Sequence, residues 1–389
     1  MVDRKQIQQW LKNKTITSDQ AAKMLADSKS QRSNKLVTVL STIGALLFGM
    51  GALLFIASNW QEMSNGVKIL LLLVVTFGSY YLGYYFRYQK KNLPRSGSAL
   101  LFLGALLFGA SIFLIAQMYH VEASYHVLIL IWILGILPLV YVFLSPSIAA
   151  LAAILAYVWL AFFLFQGKYL SDLESEFIVI LIIFSIFSIF LFQVGALHYM
   201  HQKLGAIARV YRLVGLKAAM FILFLFTFEW LSGGLGGLVK EVAKETHFFV
   251  ILFVTLSVLT IILTAINQFF NPSQDKLIGI EGYASGAIIA LMMIFYFFPS
   301  ETTIYTVIFN LVFAGLALTL LLIGYNEGDI FLVNMGMFWF ASFILAKYFD
   351  FFWDLLPRSM FFMTGGLILV LGGIALEKKR RQLKAQWEA

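Results

Sequence analysis

Apolar residues fill the chain in blocks of about twenty, and short polar segments separate them. A helix rises 1.5 Å per residue, so a block of that length spans the hydrocarbon core of a bilayer. The blocks fall at 36–57, 66–86, 98–117, 126–144, 147–165, 177–197, 210–231, 247–268, 278–298, 303–323, 329–346 and 359–376. They predict an all-α, polytopic membrane helix bundle of about twelve spans. One boundary is set by a few residues. Ser145-Pro146-Ser147 divides a long apolar run, because Pro ends one helix and Ser can cap the next.

The first 35 residues have a different pattern. Ile7, Trp10 and Leu11 share one helical face. Thr17 and Gln20 have the spacing of a capping box, and Ala21, Met24 and Leu25 form a narrow stripe behind it. This predicts a short helical hairpin on the cytosolic side, as against a solvated tail. The organisation is then a hairpin at 1–35, a first transmembrane region at 36–165, a second at 166–376 and a basic tail at 377–389. That tail suits either an anionic inner leaflet or a plain topology anchor. No apolar run opens the chain, so no cleaved secretory signal is expected.

Composition agrees with the blocks. Hydrophobic residues make up 61% and charged residues 12%, about half the charge of a soluble domain. The net charge of +8 does not point to nucleic acid, because the basic residues gather at helix ends and tails. With the N-terminus inside and the spans alternating, 21 of the 28 Lys and Arg fall on the inner side and five on the outer. This bias places both termini in the cytoplasm and requires an even number of spans. The remaining two, Lys68 and Lys217, lie within spans. The chain contains no Cys, which removes disulfides, thiolate metal sites and cysteine nucleophiles.

Gly44-Ala45-Leu46-Leu47-Phe48-Gly49 recurs as Gly104-Ala105-Leu106-Leu107-Phe108-Gly109, in spans that run the same way. Each copy holds a small-xxx-small pair suited to close helix packing, and each leads to a polar exit. The exits are Ser58-Asn59-Trp60 and Gln117-Met118-Tyr119-His120. Either a parallel duplication or shared composition accounts for the match.

With its N-terminal hairpin (Trp10, Ile16-Thr17), the run GALLFGMGALLFIASNW at 44–60 and the run GALLFGASIFLIAQMYH at 104–120, the chain resembles domain-of-unknown-function family 2157 over about residues 5–145. The resemblance implies a bacterial inner-membrane protein. It brings no established activity and no catalytic residues to carry over.

Ionisable groups within spans are costly and therefore candidates for function. Lys217 and Glu281 lie at similar depth, which allows an ion pair between helices or independent snorkelling. Glu229 stands at an outer helix end beside Trp230, either as a functional carboxylate or as an interfacial one. Packing of the first and third spans through their glycine faces would gather Asn59, Trp60, Gln117, Tyr119 and His120 at the outer face. That cluster could hold a small polar group or lipid headgroup, or it could simply cap helices and anchor the aromatic belt. His198 and His201 share a helix face, but no carboxylate completes a metal site. The glycine-rich segment 233–237 lacks the Lys-Ser/Thr of a P-loop and predicts a turn. No catalytic set, metal or cofactor follows from these residues.

Three functions remain open. They are a transporter or permease of a small solute or lipid-like molecule, a membrane scaffold or sensor docking a cytosolic partner through the hairpin, and an intramembrane enzyme on a lipid-linked substrate. The lipid bilayer is the one partner common to all three.

Overall fold

The computed structural model describes residues 17, 62–165, 173–232, 247–270, 276–298, 303–352, 360, 362–367, 370–374 and 377–378. The predicted hairpin, the first span, Asn59, Trp60, the glycine-rich segment at 233–237 and most of the basic tail lie outside them.

The described residues form ten long helices and contain no strand. They are α1 (Asn65–Tyr84), α2 (Pro94–Met118), α3 (Tyr125–Val142), α4 (Pro146–Phe165) and α5 (Leu173–His198). These are followed by α6 (Gly205–Phe226), α7 (His247–Phe270), α8 (Lys276–Phe297), α9 (Ile304–Asn326) and α10 (Ile330–Phe352). Each coincides with one predicted span. Eight helices are long and apolar enough to cross a membrane, and α6 and α8, of 22 residues each, have the length to do so. Within lipid a helix is one of the two forms that satisfy every backbone group, so uninterrupted apolar runs become helices. The structure is an all-α polytopic bundle, and the protein is a multi-pass membrane protein.

The chain divides into two units at Val74–Val75, within α1. In the first unit, the described residues are Thr17 and 62–74, where Ser64 caps the start of α1 through its carbonyl and hydroxyl oxygens. The second unit holds the rest of α1 and all later helices.

Helix ends are closed by a recurring device. His120, Leu144 and Gly328 have positive φ, at 50°, 42° and 67°. In each case the next residue's N–H reaches back five positions: Val121 to Ala116 O, Ser145 to Val140 O and Asp329 to Gly324 O. These are left-handed C-caps, which satisfy carbonyls left open at a helix end. At two of them the following residue starts the next helix. Ser145 Oγ accepts from Ile148 N–H at 3.5 Å, with Pro146 in the first turn. Asp329 Oδ1 accepts from Phe331 N–H at 2.8 Å. The break predicted at Ser145-Pro146 is therefore present.

Helix α5 is the centre of the second unit. Of its apolar window 67% is buried, against 22–39% for the other spanning helices. It packs most extensively on α6 and next on α7. The α5–α6 contact is close because glycines face backbone. A Cβ on Gly215 would stand 2.5 Å from Ser188 O and 2.7 Å from Phe192 N. A Cβ on Gly195 would meet Arg212 N at 2.7 Å. One apolar core joins α2, α3 and α4 to the adjoining ends of α5 and α6. The other joins the rest of α5 and α6 to α7, α8, α9 and α10.

The small residues of α2 pack against the helices on either side of it in the chain. Gly104 faces the Tyr80 ring on α1, and Gly109 faces the Trp132 ring on α3. Trp132 Nε1 donates to Ala105 O at 2.9 Å. These small residues receive α1 and α3, and the first span, expected to pack on this helix, lies outside the described residues.

Candidate functional site

The polar residues expected at the outer face are exposed where they are described. Gln117, Tyr119 and His120 are exposed, and so are Glu229 and Trp230. The main chains of Gln117 and His120 are engaged in the C-cap of α2, where His120 N–H donates to Gln117 O at 3.3 Å. The backbone therefore gives these positions a structural task.

For Lys217 and Glu281 an ion pair and independent snorkelling were both open. Glu281 on α8 forms its ion pair with Arg212 on α6, not with Lys217. Lys217 is exposed, and its ammonium lies 5.7 Å from the Phe331 ring centroid. The reason is helical rotation. Five residues turn about 140° around a helix, so the two basic residues leave α6 on different faces. Arg212 points toward α5, where its guanidinium lies 4.8 Å from the Phe192 ring and 5.3 Å from the Tyr199 ring. Aromatic faces and a carboxylate together suit a partly buried guanidinium.

One helical turn along α8 from Glu281 stands Ser285, and here the structure assembles a group that the charge pattern did not reveal. Gln193 on α5, Asn267 on α7 and Ser285 on α8 are buried and hydrogen-bonded to one another. Asn267 Nδ2 donates to Gln193 O at 2.9 Å and to Gln193 Oε1 at 2.8 Å. Gln193 Nε2 donates to Ser285 Oγ at 2.9 Å. The amide orientations follow from the network. A main-chain carbonyl only accepts, so Asn267 must turn its NH2 toward it. That leaves Asn267 Oδ1 facing away, buried and without a partner. An unanswered acceptor in a bundle interior is costly. The sequence signal for the group is weak, since neutral amides and a serine carry no charge. A pattern does exist on α7, where Ser257, Thr260, Thr264 and Asn267 recur every three or four residues on one face.

A second polar group lies at the opposite end of α6. Lys347 Nζ donates to Thr227 O at 2.7 Å and to Asp350 Oδ2 at 2.9 Å. Asn310 Nδ2 donates to the same Thr227 carbonyl at 2.8 Å. A cation at a helix C-terminus complements the partial negative charge there, so this group reads as a cap. Glu229, two residues on, takes no part in it.

His198 donates from Nδ1 to Val194 O at 2.7 Å, and its Nε2 meets Tyr141 Oη at 3.0 Å. His201 is exposed beyond the end of α5. Among the described residues no cluster of three His, Asp or Glu could hold a metal ion. In the last apolar block, Gly365 faces the Tyr348 ring and Thr364 bonds Tyr348 Oη, while Gly366, Gly372 and Gly373 have open space.

Residues 8–149 match the family model described as "Predicted membrane protein (DUF2157)". This is the stretch in which the sequence resembles that family, and it covers about a third of the chain. The description names a membrane protein and no activity. No curated protein and no solved structure matches the chain.

Proposed function

We propose that this protein is a transporter or permease for a small solute or lipid-like molecule in the bacterial inner membrane, with both termini in the cytoplasm. The orientation follows from the excess of Lys and Arg on the inner side. The transport reading is carried by the Gln193–Asn267–Ser285 group and its unpartnered Asn267 oxygen. Polar groups inside a membrane bundle are expensive and mark pathways by default. This group lies where α5, α7 and α8 meet, beside the Arg212–Glu281 pair. By the alternation of spans it stands in the cytoplasmic half.

The lack of native cysteine makes the test direct. Ser285→Cys and Gln268→Cys report on the bundle interior, and Ile262→Cys, on an exposed apolar face, reports on lipid. A membrane-impermeant thiol reagent applied from the cytoplasmic side should label 285 and 268 and leave 262 unlabelled. If 285 and 268 stay unreactive in folded protein, the interior is dry and structural. The scaffold reading then takes over, and the search moves to what residues 1–35 bind.

A further inference from the structure

The corner between α1 and α2 gathers four basic residues, Arg87, Lys90, Lys91 and Arg95. None of them forms an ion pair among the described residues, where the pairs are Arg212–Glu281 and Lys347–Asp350. The surrounding sequence offers no carboxylate either. From residue 63 to residue 171 the one acidic residue is Glu122, beyond the far end of α2.

The corner has a defined shape. Helices α1 and α2 meet there through glycines. A Cβ on Gly83 would stand 2.8 Å from Leu101 N, and one on Gly97 would stand 2.8 Å from Arg87 N. Tyr88 Oη donates to Phe143 O at 2.5 Å, which ties the corner to the end of α3. A π-helical turn over Tyr85–Gln89 sets the register of the cations. Phe77, Tyr81 and Tyr85 follow at four-residue spacing and form one row along α1. In the π turn the next place in that row falls five residues on, at Lys90, whose N–H donates to Tyr85 O at 2.8 Å. The Lys90 ammonium accordingly lies 6.0 Å from the Tyr85 ring centroid, and Tyr85 stacks on Tyr81 at 6.4 Å. In the neighbouring row the Tyr84 and Tyr88 rings are 5.6 Å apart, and the Arg87 guanidinium lies 5.1 Å from the Tyr88 ring.

Phe77 and Tyr81 are exposed, and so are Lys90, Lys91 and Arg95. The surface therefore passes from apolar rings, through tyrosines, to cations without a counter-charge among the described residues. Acyl chain, interface and phosphate follow in the same order in a phospholipid. The tails of the chain are poor sources of the missing charge. Residues 1–35 hold eight Lys or Arg against three Asp, and residues 377–389 hold five against two Glu. A zwitterionic headgroup would bring its own ammonium against four cations.

We propose that the α1–α2 corner binds the headgroup of an anionic phospholipid. Lys90 and Arg95 meet the phosphate, Arg87 stands on the Tyr88 ring in the adjacent row, and Phe77, Tyr81 and Tyr85 receive the acyl chain. A topology signal needs the charges alone, and neither the tyrosine row nor the π register would serve it. Lipid binding here depends neither on transport nor on which side of the membrane is inner.

The test is native mass spectrometry of the full chain released from micelles with equal amounts of phosphatidylglycerol and phosphatidylcholine of the same acyl chains. Phosphatidylglycerol should be retained severalfold over phosphatidylcholine, since each basic residue at an anionic surface contributes roughly fivefold. Lys90→Gln combined with Arg95→Gln should lose most of that preference. Lys203→Gln combined with Arg209→Gln, at two exposed cations around the start of α6, should keep it. Tyr85→Leu leaves every charge and the insertion signal in place, and it should weaken the preference by removing the ring beside Lys90. Absence of any preference in the unsubstituted chain, as when residues 1–35 cover the corner, overturns the proposal. Equal loss in the two charge pairs also overturns it, because selection would then follow net charge. Full retention in Tyr85→Leu does the same, because the aromatic row would then take no part.

Discussion

His120 and Leu144 show how a residue suggestive of chemistry or burial can owe its position to the backbone. Both sit in the left-handed region that glycine adopts without cost. A side chain there costs about 1–2 kcal/mol. Gly328 occupies the corresponding position between α9 and α10. Leu144→Gly should therefore raise the stability of the folded protein by about 1 kcal/mol, measured by thermal unfolding in detergent. His120→Gly should do likewise, and His120→Ala should not. Loss of stability in Leu144→Gly would mean that its side-chain contacts outweigh backbone strain. For His120 the pair of variants also bears on the enzyme reading. A catalytic imidazole would be lost equally in both, while a backbone role separates them. The sequence displayed His120 prominently because it ends a recurring motif, but the conformation that explains it is not visible in side-chain chemistry.

At the scale of helices, the apolar blocks were enough to locate ten spans, and Ser145-Pro146 was enough to separate α3 from α4. The rotation of each helix about its axis was not legible, and rotation decides pairing. Lys217 and Arg212 both belong to α6 and both carry charge, yet Arg212 takes Glu281. Double-mutant analysis should show coupling for Arg212 with Glu281 and none for Lys217 with Glu281. Glu281→Gln should destabilise by about 2 kcal/mol, below the 3–5 kcal/mol of a fully buried pair, because both side chains keep partial exposure. Lys217→Ala should be close to neutral, and a large loss there would contradict the assignment. The α5–α6 contact gives a stricter test. A methyl group at 215 meets main-chain atoms of Ser188 and Phe192 that cannot turn aside. Gly215→Ala should cost about 1–3 kcal/mol as overpacking, whereas the same change at Gly286, with open space around it, should not destabilise in this way. The polar group at Gln193, Asn267 and Ser285 stayed hidden in the sequence for a related reason. Each residue is ordinary alone, and three separate helices must be rotated and aligned before the amides meet.

For the whole molecule, the side-chain links between helices carry information about sidedness that the charge count did not use. If spans alternate across the bilayer, the ends of α5 and α7 lie on one side with the beginnings of α6 and α8. The Gln193–Asn267 and Arg212–Glu281 links join those ends and beginnings. The ends of α6 and α10 lie on the opposite side, and Lys347 reaches Thr227 there. Every one of these links connects positions that alternation assigns to the same leaflet. The links are indifferent to which leaflet is inner, and that choice rests on the basic segments between Arg87 and Arg95 and between Lys203 and Arg212. Single cysteines in the native cysteine-free background separate the two questions. Those at 120 and 229 should react with an impermeant reagent only from outside, and those at 91 and 201 only from inside. Reversal of all four would keep the alternation and overturn the orientation. A split within either pair would break the alternation itself, and with it the even span count and the placement of both termini on one side.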